Sequence, residues 1–271
     1  MIPLHDENPT IHRPIVTIVL IALNVLIFLW QDRGSERATY ERTFSYGAVP
    51  YNVTQDGEVG LRFEHGRDIY APVKVRIEPV ETMGRQPGDI TQPLSPGLTL
   101  LTSMFLHGGW MHLLFNMWFL WIFGNNCEDA MGRGRFTVFY LLTGLIATGV
   151  HIASETDSVI PTIGASGAIS GILGAYVLLF PRARVLSLVP LGYILTTIRL
   201  PAVVFLGIWL VTQILNVFGT AGGGVAWFAH IGGFLGGLAL VKLFESKEHR
   251  ERGDLGRRMP PRFAQGRRWR E

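Results

Sequence analysis

A serine hydroxyl can attack a carbonyl when a base takes its proton, and two residues of this chain sit in settings suited to that exchange. Ser166 lies in Gly164-Ala165-Ser166-Gly167, followed by Ile169 and Gly171. A serine that follows a glycine-containing turn and opens a helix has its hydroxyl beside unpaired helix N-terminal N–H groups, where developing negative charge is favoured. The same residue would also serve as one more small side chain in a close helix contact, alongside Gly167, Gly171 and Gly174. His230 supplies the usual base for a serine. The glycines at 232, 233, 236 and 237 would let its helix approach the glycine-rich helix of Ser166, bringing the two side chains within hydrogen-bond reach. His112 and Asn116 are four apart and so share a helical face. Both can donate a hydrogen bond, and with the Ser166 N–H they would surround the oxygen of a tetrahedral intermediate. Asn116 serves equally well as a tie between helices.

An acid to complete a triad is not where it would be needed. Glu128 and Asp129 lie 16 and 17 residues beyond His112, roughly 24 Å along a helix at about 1.5 Å per residue. Glu155 and Asp157 fall in a loop. The economical arrangement is a Ser166–His230 dyad with the histidine oriented by packing.

The elements that must carry these residues are membrane helices. The 271-residue chain is 48% hydrophobic and 17% charged, against roughly 25% charged in soluble domains, and its mean hydropathy is +0.28. Ile90–Cys127, Thr137–Ala153 and Leu200–Val241 contain no Asp, Glu, Lys or Arg. Disordered, collagen-like and disulfide-stapled classes are excluded; the single Cys127 permits neither an intrachain disulfide nor a cysteine-based zinc site. Since a spanning helix needs about 17 to 25 apolar residues, six segments qualify: Pro14–Gln31, Ser103–Gly124, Phe136–Ala153, the shorter Ser166–Phe180, Leu200–Phe218 and Val225–Phe244. The run Gly219–Gly224 is expected to form a turn between the last two and is a candidate lid. Val185–Ile198, with internal Pro190 and Gly192, suits an interfacial segment better than a span.

Short loops rich in Lys and Arg stay cytoplasmic. Arg133 and Arg135 follow the second span, Arg182, Arg184 and Arg199 follow the fourth, and ten Lys or Arg follow Val241. Both termini are thus expected in the cytoplasm, in a multi-pass protein of a bacterial cytoplasmic membrane. Four regions result: residues 1–31 with the first span, an extracytoplasmic insert at 32–101, spans two to six at 102–244 and a basic tail at 245–271. Within the insert, Val53–Phe63 around Asp56-Gly57 and Ile69–Val80 have strand-like composition. His107 and Trp110 are candidates for the cavity mouth. The tail fits anionic lipid better than nucleic acid. No cofactor or metal is expected.

The chain resembles the rhomboid intramembrane serine proteases, through His112-Leu-Leu-Phe-Asn116, Gly164-Ala-Ser-Gly167 and Ala229-His-Ile-Gly-Gly233 followed by Gly237. The resemblance covers about Leu101–Val241 plus the first span. It implies an all-α, six-helix membrane bundle with a water-filled cavity open to the outside, here carrying a long insert between helices 1 and 2. It further implies Ser166 as nucleophile, His230 as general base, His112 and Asn116 as oxyanion-hole side chains, and single-span membrane proteins as substrates cut in or near the bilayer. The alternative is an inactive rhomboid-like protein that binds membrane helices; such proteins commonly lose the serine or the histidine, and this chain has both. Some members carry a tyrosine one turn after the nucleophile, packed on the catalytic histidine, where this chain has Ser170.

Overall fold

Each apolar run becomes a helix because helix is the local solution that pairs every backbone polar group within the segment. The computed structural model describes residues 1–55, 57–64, 74–84, 86, 88–191, 194–219 and 225–251. The bundle comprises α1 (Ile15–Gln31), α6 (Trp110–Phe119) continued by a π-helical turn (Leu120–Gly124) into α7 (Asn125–Met131), α8 (Arg133–Ser154), α9 (Ser166–Leu179), α10 (Ala202–Phe218) and α11 (Trp227–Phe244). By length and composition α8 and α11 could each cross a membrane alone, and the segment Pro96–Phe105 with Trp110–Met131 would be a third, broken by an 80° bend. α1, α9 and α10 are apolar but shorter.

α9 is the centre of the bundle, with every residue from Gly167 to Tyr176 buried. It packs on α8, α10 and α11. Its contact with α11 is set by glycines: a Cβ on Gly233 would run into the Gly167 carbonyl oxygen, one on Gly237 into that of Gly171, and one on Gly174 into that of Phe234. These positions tolerate no side chain because backbone meets backbone.

The second helix starts later than Ser103. Ser103–Phe105 is a 3-10 turn, and the chain then bends through His107-Gly108-Gly109 before α6 begins. Gln31 at the end of α1 holds that bend in both directions, its Oε1 accepting from the His107 N–H at 3.0 Å and its Nε2 donating to the His107 carbonyl at 3.0 Å.

At the opposite end of the bundle, β1 (Ile2–Asp6), β5 (Arg184–Leu191) and β6 (Ile194–Pro201) form an antiparallel sheet in the order β1-β5-β6. The segment Val185–Ile198 is therefore a hairpin with an N-terminal strand added to it. Asp6 fastens that strand to the bundle, accepting from Tyr176 Oη and Asn126 Nδ2, each at 2.6 Å. Burial holds the Asp6 carboxyl above the usual carboxylate range.

The insert contains α2 (Glu36–Tyr46), α3 (Pro50–Thr54), α4 (Val80–Met83), α5 (Pro96–Thr102), and a sheet of β2 (Val59–Glu64), β3 (Lys74–Pro79) and β4 (Ile90–Thr91) in the order β3-β2-β4. Val53 and Thr54 are helical rather than extended, because Pro50 at the first helical position starts a turn that runs through them. Asp56, residues 69–73, Thr220–Gly224 and Arg252–Glu271, on which the turn, part of the second strand, the lid and most of the tail were expected, lie outside the described residues. Phe44, Val49, Val59 and Leu61 form a small core of the insert's own. This unit is joined to the loop that leads into α9: Ala48 and Thr162 exchange both backbone hydrogen bonds at 3.1 and 2.7 Å.

Candidate active site

Two short backbone devices set the position of Ser166. The Gly164 N–H donates to the Ser103 carbonyl at 2.9 Å, and Gly164 itself has φ +125°, a conformation open to glycine at little cost. A side chain there would also strike the His112 ring, its Cβ only 2.9 Å from Cε1. Ser166 follows as the first residue of α9, so its N–H lies outside the intrahelical ladder.

From α11, His230 reaches across the glycine contact. Its Nε2 lies 2.9 Å from Ser166 Oγ. The other ring nitrogen, Nδ1, lies 2.8 Å from Oε1 of Gln213 on α10. The rings of Trp209 and Trp227 flank the imidazole at centroid distances of 6.0 and 5.9 Å. Ser170, one turn after Ser166, directs its hydroxyl to the Ser166 carbonyl, donating at 2.7 Å. Packing alone is thus not what orients His230, because a polar partner on a third helix holds the ring.

The tautomer of His112 follows from its neighbour. The Gly108 N–H donates to His112 Nδ1 at 3.2 Å, so a neutral ring carries its proton on Nε2, and that nitrogen faces the Gly164 side of the site. Asn116 is buried and spends one amide hydrogen on the His112 carbonyl at 2.9 Å, and among the described residues the second is left to donate. His112, Asn116, Ser166 and His230 line one cavity of about 470 Å³, whose remaining wall is largely apolar and includes Phe115, Phe119, Leu173 and Trp209.

The structure thereby brings together the four residues singled out by type and spacing. His107 is not at the cavity mouth: it is buried behind His112, their ring centroids 5.2 Å apart. Trp110 is exposed and packs edge-on against Phe28. The carboxylates are employed elsewhere. Glu128 caps the start of α1, accepting from the N–H groups of Val16 and Thr17 at 3.0 and 2.8 Å. Asp129 accepts from the N–H groups of Ile11 and His12, and Asp157 accepts from Gln55. Gln213 is the residue that motif reasoning passed over. The available signal was an amide in the uncharged stretch Leu200–Val241, where polar groups are costly unless used.

The Rhomboid domain family model matches residues 96–247, more than half of the chain and all of the residues that line this cavity. The chain belongs to the rhomboid family. It is 38% identical over 139 residues to the rhomboid protease GluP of Bacillus subtilis, a match that covers 51% of this chain and 24% of that protein. It is 27% identical over 173 residues to the mitochondrial Rhomboid protein 1 of Saccharomyces cerevisiae, covering 59% and 46%. The mitochondrial presenilin-associated rhomboid-like protein of Bos taurus is 32% identical over 151 residues, covering 51% and 36%. This rhomboid spans less than half the length of each of these relatives. The family is an integral membrane family. Accordingly, the bundle carries large apolar side chains on its outside, among them Leu26, Leu215 and Phe218 at 65, 63 and 83% exposed.

Proposed function

We propose that this rhomboid is an intramembrane serine endopeptidase that cleaves single-span membrane proteins through an acyl-enzyme on Ser166. The observation that carries this reading is the 2.9 Å approach of Ser166 Oγ and His230 Nε2 at a cavity large enough for a short extended segment. As Oγ bonds to the scissile carbonyl carbon, its proton passes to His230 Nε2, and the imidazolium returns a proton to the departing amine. Water then takes the amine's place: its oxygen bonds to the acyl carbon while the same nitrogen takes its proton, the acyl–Oγ bond breaks with that proton passing to Oγ, and the new carboxyl terminus leaves with Ser166 restored. The carbonyl oxygen, negative in the intermediate, is met by the His112 Nε2–H, the free Asn116 amide hydrogen and the Ser166 N–H.

In this reading α1, α6–α7, α8, α9, α10 and α11 each cross the bilayer, and both termini lie on the cytoplasmic side with the β1-β5-β6 sheet. The insert, residues 32–101, then lies outside. α9, with 14 residues, is about 21 Å long at about 1.5 Å per residue, against a hydrocarbon core of about 30 Å. A helix that short and central starts below the outer surface, which sets Ser166 at depth and requires the cavity to admit water.

The test is a fluorophosphonate probe applied to the purified protein, with the adduct mapped by mass spectrometry, alongside cleavage of a tagged single-span reporter whose helix carries small, helix-breaking residues near its outer end. The expected adduct is on Ser166 alone. Well-folded protein that neither labels nor cleaves any of several reporters would instead favour a protein that binds membrane helices. Asn116→Ala tests the oxyanion assignment: kcat should fall on the order of 10²- to 10³-fold, with KM little changed, because the donor acts on charge present only in the transition state. An equal rise in KM at constant kcat would make Asn116 a substrate-binding group.

A further inference from the structure

We infer that Gln213 is the positioning residue of the catalytic histidine, fixing the ring orientation and the tautomer that make His230 Nε2 a base. The inference rests on the protease reading of Ser166 and His230 and adds a third helix, α10, to the site. Nothing in the motifs that mark the family points to position 213; the assignment comes from where its amide sits.

The amide can face only one way. Gln213 is buried, and its Nε2 lies 3.1 Å from the Trp209 carbonyl oxygen, a group that only accepts. That contact takes an amide hydrogen, with Thr212 Oγ1 a further neighbour at 3.2 Å. The oxygen Oε1 is therefore the atom turned to His230, at 2.8 Å from Nδ1. An amide oxygen only accepts, so Nδ1 carries the hydrogen, and the lone pair of the neutral ring is on Nε2, opposite Ser166 Oγ. Without this acceptor the ring could take the other tautomer, whose Nε2–H cannot receive the serine proton.

The partner is neutral, which gives the dyad a distinct character. A carboxylate would stabilise the imidazolium by charge, whereas the glutamine oxygen offers only a dipole, so it orients the ring more than it raises its basicity. The titratable side chains that act electrostatically on His230 are His112 on α6 and His151 on α8. Neither hydrogen-bonds to it among the described residues. Trp209, whose carbonyl anchors the glutamine, also sets its ring beside the histidine at a tilt of 38°, so α10 holds the imidazole by two contacts one turn apart.

Gln213→Leu keeps the volume and removes the acceptor, and Gln213→Glu restores an acceptor with charge. Both are assayed in the full chain for reporter cleavage as a function of pH, with kcat and KM separated. Gln213→Leu is expected to lose about ten- to hundredfold in kcat, the scale of one hydrogen bond to a group that becomes charged, with KM within about twofold of wild type. Gln213→Glu is expected to recover most of that rate and to move the acidic limb of the pH profile upward by roughly one unit. Wild-type kcat in a folded Gln213→Leu protein, or a Glu variant as impaired as the Leu variant, would overturn the assignment. Should Gln213→Leu fail to fold, the pH profile of Gln213→Glu decides: a shifted limb supports it and an unshifted one refutes it. Imidazole ¹⁵N shifts of His230 in Ser166→Ala protein report the tautomer without any activity. A wild type that neither cleaves nor labels would sink the protease reading, while an Nδ1–H signal lost in Gln213→Leu would still establish the hold on the ring.

Discussion

Ser166→Ala and His230→Ala are each expected to lower reporter cleavage by on the order of 10⁶-fold, and the double variant to be no slower than either single one. The reason is that nucleophile and base act as a unit: once the hydroxyl is absent the imidazole has no proton to take, and once the imidazole is absent the hydroxyl stays a poor nucleophile. The 2.9 Å contact between Oγ and Nε2 is the physical form of that dependence. Residual cleavage in all three proteins should be equal, since the same His112, Asn116 and backbone donors remain to stabilise the oxyanion. Adding Gln213→Leu to Ser166→Ala should then change the rate no further, because a correctly held base has nothing left to activate. Multiplying rather than saturating losses in the Ser166 and His230 double variant would show that the two residues act on separate steps.

How far the residues announced this arrangement depends on whether each signal was local. The apolar runs ending near Gln31, Ser154, Phe218 and Phe244 gave helices at those places, because hydropathy and backbone pairing act within one segment. The start of α6 was placed seven residues early, at Ser103, since the bend at His107-Gly108-Gly109 depends on Gln31, which is 76 positions away. The hairpin at Val185–Ile198 likewise needed β1, whose strand pairs across some 180 residues. Within the candidate site, Ser166 and His230 were marked by glycine-rich surroundings that could be read in place. Gln213 was not, because an amide in an apolar helix shows its purpose only when the histidine 17 residues later is folded against it.

Gly237→Ala is expected to be among the most damaging single-methyl additions in the chain. The added Cβ would run into the Gly171 carbonyl oxygen, its carbon and its Cα, all backbone atoms of a fully buried helix, so no rotamer change can relieve the clash. Overpacking a well-filled core costs typically about 1–3 kcal/mol, and contact with backbone belongs at the upper end of that range. Gly233→Ala, which meets the Gly167 carbonyl one turn nearer to His230, should behave alike. Relief comes only by moving α11 away from α9, and those two helices carry His230 and Ser166. Any molecules that remain folded should therefore also lose cleavage and fluorophosphonate labelling, as the 2.9 Å bond opens with the helices. Gly207→Ala on α10 is the control: its Cβ meets nothing within 4 Å, and replacing a mid-helix glycine there should be neutral or stabilising by up to about 1 kcal/mol. Thermal midpoints in detergent, measured beside labelling rates, separate the two consequences. A Gly237→Ala protein with wild-type midpoint and labelling would show that the helices can part without disturbing the dyad, and the close crossing would then not be what positions it.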